Sequence, residues 1–228
     1  MDPTKFYKHA EVKFKGIEED SNLGKRLSRL LDKVVQSLPD EEQFGVVHAI
    51  WLHTKESFIE SAEEFVRKNP SLHSVKQTID EVKMSMMLWQ QNTDPVCKAL
   101  KEIGSGPDGF SLFWPAFKKT GYMGDSDCAI SLIVDYYEYR TDDYIMGVIA
   151  HELAEMSYKW GILKKEIPNM IKMKDKGRNA RLRQLTETGF RGGSDEYYKH
   201  EELPNNEARR LGFRKEIDEM LKGECVEP

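Results

Sequence analysis

The chain has 228 residues and a mass of 26.4 kDa, which is enough for one globular domain with an elaboration or for two small domains. Hydrophobic residues make up 39% and charged residues 32%, so the chain can bury a core and is not disordered by composition. The formal net charge of −5 excludes a protein that is basic throughout and binds nucleic acid with its whole surface. A local basic patch is still possible.

The sequence also indicates a compartment. No apolar run approaches the roughly 20 residues that a membrane-spanning helix needs, and residues 1–16 lack the hydrophobic stretch of a secretion signal. The three cysteines, Cys97, Cys128 and Cys225, are too few and too far apart for a disulfide framework or a cysteine zinc knuckle. We therefore expect a cytoplasmic protein with free thiols and no membrane partner.

The first part of the chain combines short strands with amphipathic helices. Residues 10–16 alternate in polarity and predict a short strand. Ser21 is a suitable helix N-cap, and apolar residues at helical spacing predict a helix from there to about Leu38, where Pro39 ends it. The short apolar stretch Phe44–His53 predicts a buried strand. Further helices are predicted over 56–68, 71–90 and 95–103, so that residues 1–103 form an N-terminal part of helices and strands.

The second part, residues 104–228, contains the candidate site. Glycines interspersed with aromatic residues predict a long loop over 104–127, and Cys128–Tyr137 predicts a second strand. Thr141 opens a helix that we expect to end at Gly161. The remaining predictions are a short helix over 163–174, an irregular polar segment over 175–204 and a last helix over 206–222. We expect a single α+β domain over the whole chain (1–228), with a small mixed β-sheet packed by helices and the helix after Thr141 central and buried.

The segment Tyr144–Tyr158 carries the residues with the most specific chemistry. His151, Glu152 and Glu155 are its only residues that ionise in the acid–base range near neutrality, and the rest are apolar, small or weakly polar. A helix without a charged face is buried on most sides, and burying carboxylates without partners is costly. His151 and Glu155 are one turn apart and lie side by side, so they can bind one metal ion together, while Glu152 points to the same region from the adjacent row.

Val148–Glu155, with the sequence V-I-A-H-E-L-A-E, resembles the active-site helix of the zincin metallopeptidases. In the His-Glu-x-x-His motif of that family, both histidines bind zinc and the glutamate is the general base. The resemblance implies that His151 is a metal ligand, that Glu152 is the catalytic base and that Glu155 takes the position of the second histidine. A carboxylate at that position lowers the charge of the site by one and favours harder metals such as Mn or Fe beside Zn.

The resemblance also implies a third ligand on a later helix, as in zincins of the glutamate type. The stretch Asn205–Phe213 resembles the Glu-x-x-Ala-Asp helix of those enzymes, with Glu207 as the ligand and Arg210 where an acid is more usual. His200 is a competing third ligand. Two structural interpretations are also possible. His151, Glu152 and Glu155 could form a buried polar network that joins the helix to Arg or Tyr groups elsewhere, and Glu207 could be a first-turn carboxylate that is favourable to the helix dipole.

Two functions of different classes follow. The first, which we expect, is a zincin-like metal-dependent hydrolase in which metal-activated water attacks an amide bond of a peptide or protein and Glu152 moves the proton. The second is a non-catalytic metal-binding or regulatory protein of the same fold that holds a protein or nucleic-acid partner through the basic segment 172–191. That segment has seven Lys or Arg residues against two acids, and a solvated loop is its simpler interpretation.

Overall fold

The computed structural model describes residues 1–39, 44, 47–68, 109–112, 129–135, 137–174, 176–177, 180–181 and 197–222. The predicted helices over 71–90 and 95–103 lie outside the described residues, as do the three cysteines and most of the predicted loop 104–127. Among the helices of the described ranges, none combines the length and the apolar character that crossing a membrane requires.

The described strands form one mixed sheet. Their bounds are Glu11–Lys15 for β1, Ala49–His53 for β2, Gly109–Leu112 for β3 and Ala129–Ile133 for β4. The order is β1-β2-β4-β3, in which β1, β2 and β4 are parallel and β3 is antiparallel to β4. Because side chains alternate along a strand, Ile50 and Leu52 of β2 face the same buried side as their partners Ile130 and Leu132 of β4. The prediction of a small mixed sheet packed by helices is confirmed.

Helices make up most of the described structure, and two of them begin with an N-cap that the sequence shows. Their bounds are Pro3–Phe6 for α1, Asn22–Ser37 for α2, Lys55–Lys68 for α3, Asp142–Ile171 for α4, Tyr197–Arg210 for α5 and Arg214–Lys222 for α6. The hydroxyl of Ser21 accepts a hydrogen bond from the Gly24 amide at 3.0 Å, and that of Thr141 accepts one from the Tyr144 amide at 3.0 Å. These bonds satisfy amides that have no partner within the first turn of a helix.

Helix α4 lies at the centre of the fold and is buried, as its composition predicts. Ile145, Ile149 and Leu153 are at most 1% exposed. They belong to a core that extends from Phe6 to Ile217 and includes side chains of the sheet and of α2, α5 and α6. The helix that carries the candidate site is therefore held on several sides.

The beginning of α4 is anchored by Arg26 of α2. Its guanidinium binds the carboxylate of Asp142 at 2.7 Å and the backbone carbonyls of Tyr137 and Arg140 at 2.9 and 2.6 Å. One side chain thus joins α2, the turn before α4 and the first residue of α4. This contact fixes where the helix of the candidate site starts.

Helix α4 is longer than predicted, because it continues through Gly161 to Ile171. Among the described residues, only Gly16 and Gly212 have a positive φ. Gly161 therefore does not form the left-handed cap with which many helices end. The short helix predicted over 163–174 is the C-terminal part of α4.

The two predicted strands are shorter than their apolar stretches. Phe44 and Tyr137 are buried, at 1% and 0% exposed, but they lie outside β2 and β4, and Tyr137 begins a short 3-10 turn. An apolar run thus marks burial and does not by itself mark a strand. Strand β3 forms inside the segment predicted as a loop, because its hydrogen-bond partner β4 comes from another part of the chain.

The predicted last helix over 206–222 is two helices, α5 and α6, which are separated at Gly212. This glycine has a φ of +105°, and the amide of Phe213 donates to the carbonyl of Ala208 at 3.0 Å, a bond that ends α5. Helix α5 begins at Tyr197, within the segment predicted to be irregular. Its polar composition and the internal Pro204 are unusual for a helix, and packing against α4 overrides both.

The close approach of α6 to α4 gives a test of the packing. A Cβ atom added to Gly147 of α4 would lie 2.4 Å from the carbonyl oxygen of Glu216 in α6. We expect Gly147→Ala to lower the free energy of unfolding by about 1–3 kcal/mol, because backbone must move apart. The matched control is Gly161→Ala, where the added Cβ meets no described atom within 4 Å, and we expect a gain of roughly 0.5–1 kcal/mol. Urea denaturation measures both, and equal stability of the two variants would contradict the close contact.

Candidate functional site

The contact between α4 and α5 places His151 against Asn205. Nδ1 of His151 lies 2.9 Å from Oδ1 of Asn205, whose side chain is buried and 7% exposed. With the amide oxygen as acceptor, Nδ1 of His151 donates the hydrogen bond. Histidines that bind metal ions are usually held in this way through their other ring nitrogen.

Two acids follow His151 on α4. Glu152, the predicted base, is buried and 6% exposed. Glu155 forms an ion pair with Lys159 at 2.7 Å, one further turn along the helix, and the two side chains are 28% and 13% exposed. The charge of Glu155 is therefore balanced by a cation of its own helix.

Glu207 is in the last turn of α5 and has partners on both helices. Nε and Nη2 of Arg210 bind its two carboxylate oxygens at 2.8 and 2.7 Å, and the hydroxyl of Ser157 in α4 donates to Oε1 at 3.3 Å. The hydrogen bonds and the charge of Arg210 hold the pKa of Glu207 below its ordinary value, although partial burial acts in the opposite direction. The carboxylate is thus ionised at neutral pH.

The interpretation of Glu207 as a first-turn carboxylate is wrong. It assumed a helix that starts near residue 206, but α5 starts at Tyr197, so Glu207 lies near the negative end of the helix dipole. A carboxylate is unfavourable at that end, and the guanidinium of Arg210 compensates for it. The other structural interpretation expected Arg or Tyr as partners of the buried helix, whereas His151 is hydrogen-bonded to the amide of Asn205.

The structure brings α5 against α4, as the resemblance implies, but it does not gather the predicted ligands around one point. Within the described residues, no three His, Cys, Asp or Glu side chains form a group able to hold a metal ion. Glu155 and Glu207 bind Lys159 and Arg210 instead. The side chain of His200 lies outside the described residues.

Sequence reasoning missed the polar partners at this interface. Asn205 and Ser157 carry the hydrogen bonds between the helices, and Lys159 neutralises Glu155. Only Lys159 had a local signal, because it stands four residues after Glu155 and side chains at that spacing are neighbours on a helix. Asn205 and Ser157 make these contacts only because α5 packs against α4, and the sequence of one segment does not predict that packing.

No protein-family model, curated protein or solved structure matches this chain. The site combines a fixed imidazole, a buried acid that follows it, and two carboxylates that are paired with Lys159 and Arg210.

The basic segment 172–191 is described only in part. Lys172, Lys174 and Lys176 are exposed and follow the end of α4. Arg181 forms an ion pair with Glu166 of α4 at 3.2 Å, so its charge is balanced within the fold. The other arginines of the segment lie outside the described residues.

A second polar group lies where β2 and β4 end. His53 is 3% exposed, and its Nδ1 lies 3.4 Å from the hydroxyl of Ser57, which also lies 2.8 Å from the carbonyl oxygen of Lys15. The carboxylate of Asp135 accepts a hydrogen bond from the Lys55 amide at 2.8 Å, while burial raises its pKa. These contacts tie the strand ends to the first turn of α3, which is a structural role.

The contact between His151 and Asn205 can be tested by stability. Asn205→Ala removes the acceptor of a buried hydrogen bond, and we expect it to lower the free energy of unfolding by about 1–3 kcal/mol. The neighbouring Asn206→Ala is the control, because Asn206 is exposed and we expect a change within about 0.5 kcal/mol. Urea denaturation at pH 7 compares them, and equal effects would contradict a buried contact at Asn205.

The burial of His53 predicts a dependence of stability on pH. Burial, and then the charge of Lys15, lowers the pKa of His53 to about 4. Because the unfolded chain binds the proton near the ordinary pKa, the unfolded state gains protons first as the pH falls, and stability is lost. We expect the wild type to lose about 2 kcal/mol more than His53→Gln between pH 7 and pH 5, as measured by urea denaturation.

The control for this pH dependence is His9→Gln, which removes an exposed histidine. We expect it to leave the wild-type pH dependence unchanged. If His53→Gln and wild type lose the same stability between pH 7 and pH 5, His53 is not the group responsible.

Proposed function

We propose that the protein is a cytoplasmic, zincin-like metal-dependent hydrolase that cleaves amide bonds of peptides or proteins. Its metal ligands are His151, Glu155 and Glu207, and Glu152 is the general base. The observation that carries the proposal is the docking of α5 on α4, in which Asn205 holds Nδ1 of His151 and Ser157 contacts Glu207. The packing of a later helix beside the helix with the His-Glu motif supports the proposal.

The donor set suits a divalent ion by its chemistry. One imidazole nitrogen and two carboxylates are ligands of Zn, and the second carboxylate in place of a histidine also suits Mn or Fe. Lys159 and Arg210 neutralise the two carboxylates, and an ion that binds there has to displace them. The side chains are therefore suited to an ion in type and charge, but they have to change their partners when it binds.

The reaction needs a charge that activates water and a group that moves its proton. A divalent ion held by His151, Glu155 and Glu207 would lower the pKa of water and polarise a carbonyl group. The carboxylate of Glu152 would then take a proton from water and deliver it to the leaving amine. Asn205 keeps the imidazole of His151 in one tautomer and one orientation throughout.

Elemental analysis tests the proposal without a known substrate. We expect the purified full chain to contain about one divalent ion, which His151→Ala and Glu155→Ala lose. Glu152→Gln should keep the ion but lose hydrolysis of fluorescent casein, because only the proton acceptor is removed. The control Glu202→Gln changes an exposed acid of α5 and should keep both the ion and the activity. Circular dichroism confirms that each variant is folded.

A different outcome would favour the second function. The exposed Lys172, Lys174 and Lys176 at the end of α4 are available to an acidic partner. A native protein that contains no metal and binds RNA or DNA with an affinity that falls steeply with salt would overturn the hydrolase and support partner binding by this segment.

A further inference from the structure

Strand β1 forms one edge of the described sheet, and part of its backbone faces away from that sheet. The strand order β1-β2-β4-β3 places no described strand beyond it. The amide of Glu11 and the carbonyl of Lys15 bind backbone groups that flank β2. Because the backbone groups of successive residues point to opposite sides of a strand, the amides and carbonyls of Val12 and Phe14 point outward.

These outward groups make β1 a place where another strand can add. Among the described residues, none forms a hydrogen bond with the outward amides and carbonyls of Val12 and Phe14. Their side chains are half-buried and pack against the core, so a further strand would also cover their remaining apolar surface. The edge is short and carries two lysines, which discourages pairing with strands whose charges do not match.

The charges of β1 have an order along the strand. Glu11, Lys13 and Lys15 lie on one face, because alternate residues of a strand point to the same side. Glu11 and Lys15 are exposed at opposite ends of the strand. Lys13 lies between them, where it binds Glu11 at 2.8 Å and contacts the ring of Trp51 at 4.8 Å. The strand thus presents an acid at its start and a base at its end.

We propose that two copies of the chain associate through β1, with the two strands antiparallel and centred on Lys13. A two-fold axis brings the same strand of both copies together in this way. Glu11 of each copy then lies opposite Lys15 of the other, and Val12 lies opposite Phe14 on the second face. Cross-strand pairs of opposite charge and of apolar side chains stabilise a sheet. Each pair of Val12 and Phe14 also exchanges two backbone hydrogen bonds.

The charge order favours this register over its neighbours. A register centred on Phe14 sets Lys13 opposite Lys15 of the second copy on both sides of the axis, and like charges at that distance repel. A register centred on Val12 pairs only residues 11–13 of the five-residue strand. In the proposed register the two Lys13 side chains meet, but the carboxylate of Glu11 balances each of them within its own strand.

Sedimentation velocity of the full chain over a series of concentrations tests the proposal. We expect reversible dimers, and association about tenfold weaker in Glu11→Lys, because the change sets two lysines against each other at both symmetric pairs. The double variant Glu11→Lys with Lys15→Glu restores opposite charges and should dimerise as the wild type does. The control Glu19→Lys makes the same change of charge at an exposed acid outside β1 and should leave association unchanged.

A further variant tests the backbone pairing. Val12→Pro removes an outward amide, which an edge strand tolerates. We expect it to abolish the dimer while circular dichroism shows that the chain stays folded. The proposal is overturned by a wild type that stays monomeric at about 1 mM, or by equal effects of Glu11→Lys and Glu19→Lys. A double variant that fails to restore association, or a folded Val12→Pro variant that still dimerises, also overturns it.

Discussion

The burial of α4 governs the rest of the site, because a helix with so little exposed surface cannot rely on water to satisfy its polar side chains. Helix α5 supplies partners for them. Asn205 is hydrogen-bonded to the imidazole of His151, and Glu207 accepts a hydrogen bond from the hydroxyl of Ser157. Ala208, which follows Glu207 in the sequence, is fully buried. Polar and apolar contacts therefore hold the same pair of helices together, and whatever chemistry the interface performs depends on that packing.

Local signals predict structure well where a segment decides its own conformation. The cap at Ser21 predicts the start of α2, and the shortage of charged residues predicts that α4 is buried. Local signals fail where the conformation of a segment depends on its packing partner. Strand β3 forms by pairing with β4, and α5 forms against α4 despite Pro204. The same limit holds for the site. His151 and Glu152 stand out in a buried helix, but an amide 54 positions away has no local mark as the partner of His151.

The ion pairs at Glu155 and Glu207 do not exclude a metal ion, because their contact with water limits the free energy that they contribute. Lys159 and Glu155 are 13% and 28% exposed, and Arg210 and Glu207 are 56% and 22% exposed. The pair of Arg210 and Glu207, whose guanidinium is exposed, contributes at most about 1 kcal/mol. Lys159 and Arg210 balance the charges of the two carboxylates. Binding of the proposed ion would therefore be an exchange of partners and not the filling of a preformed cage.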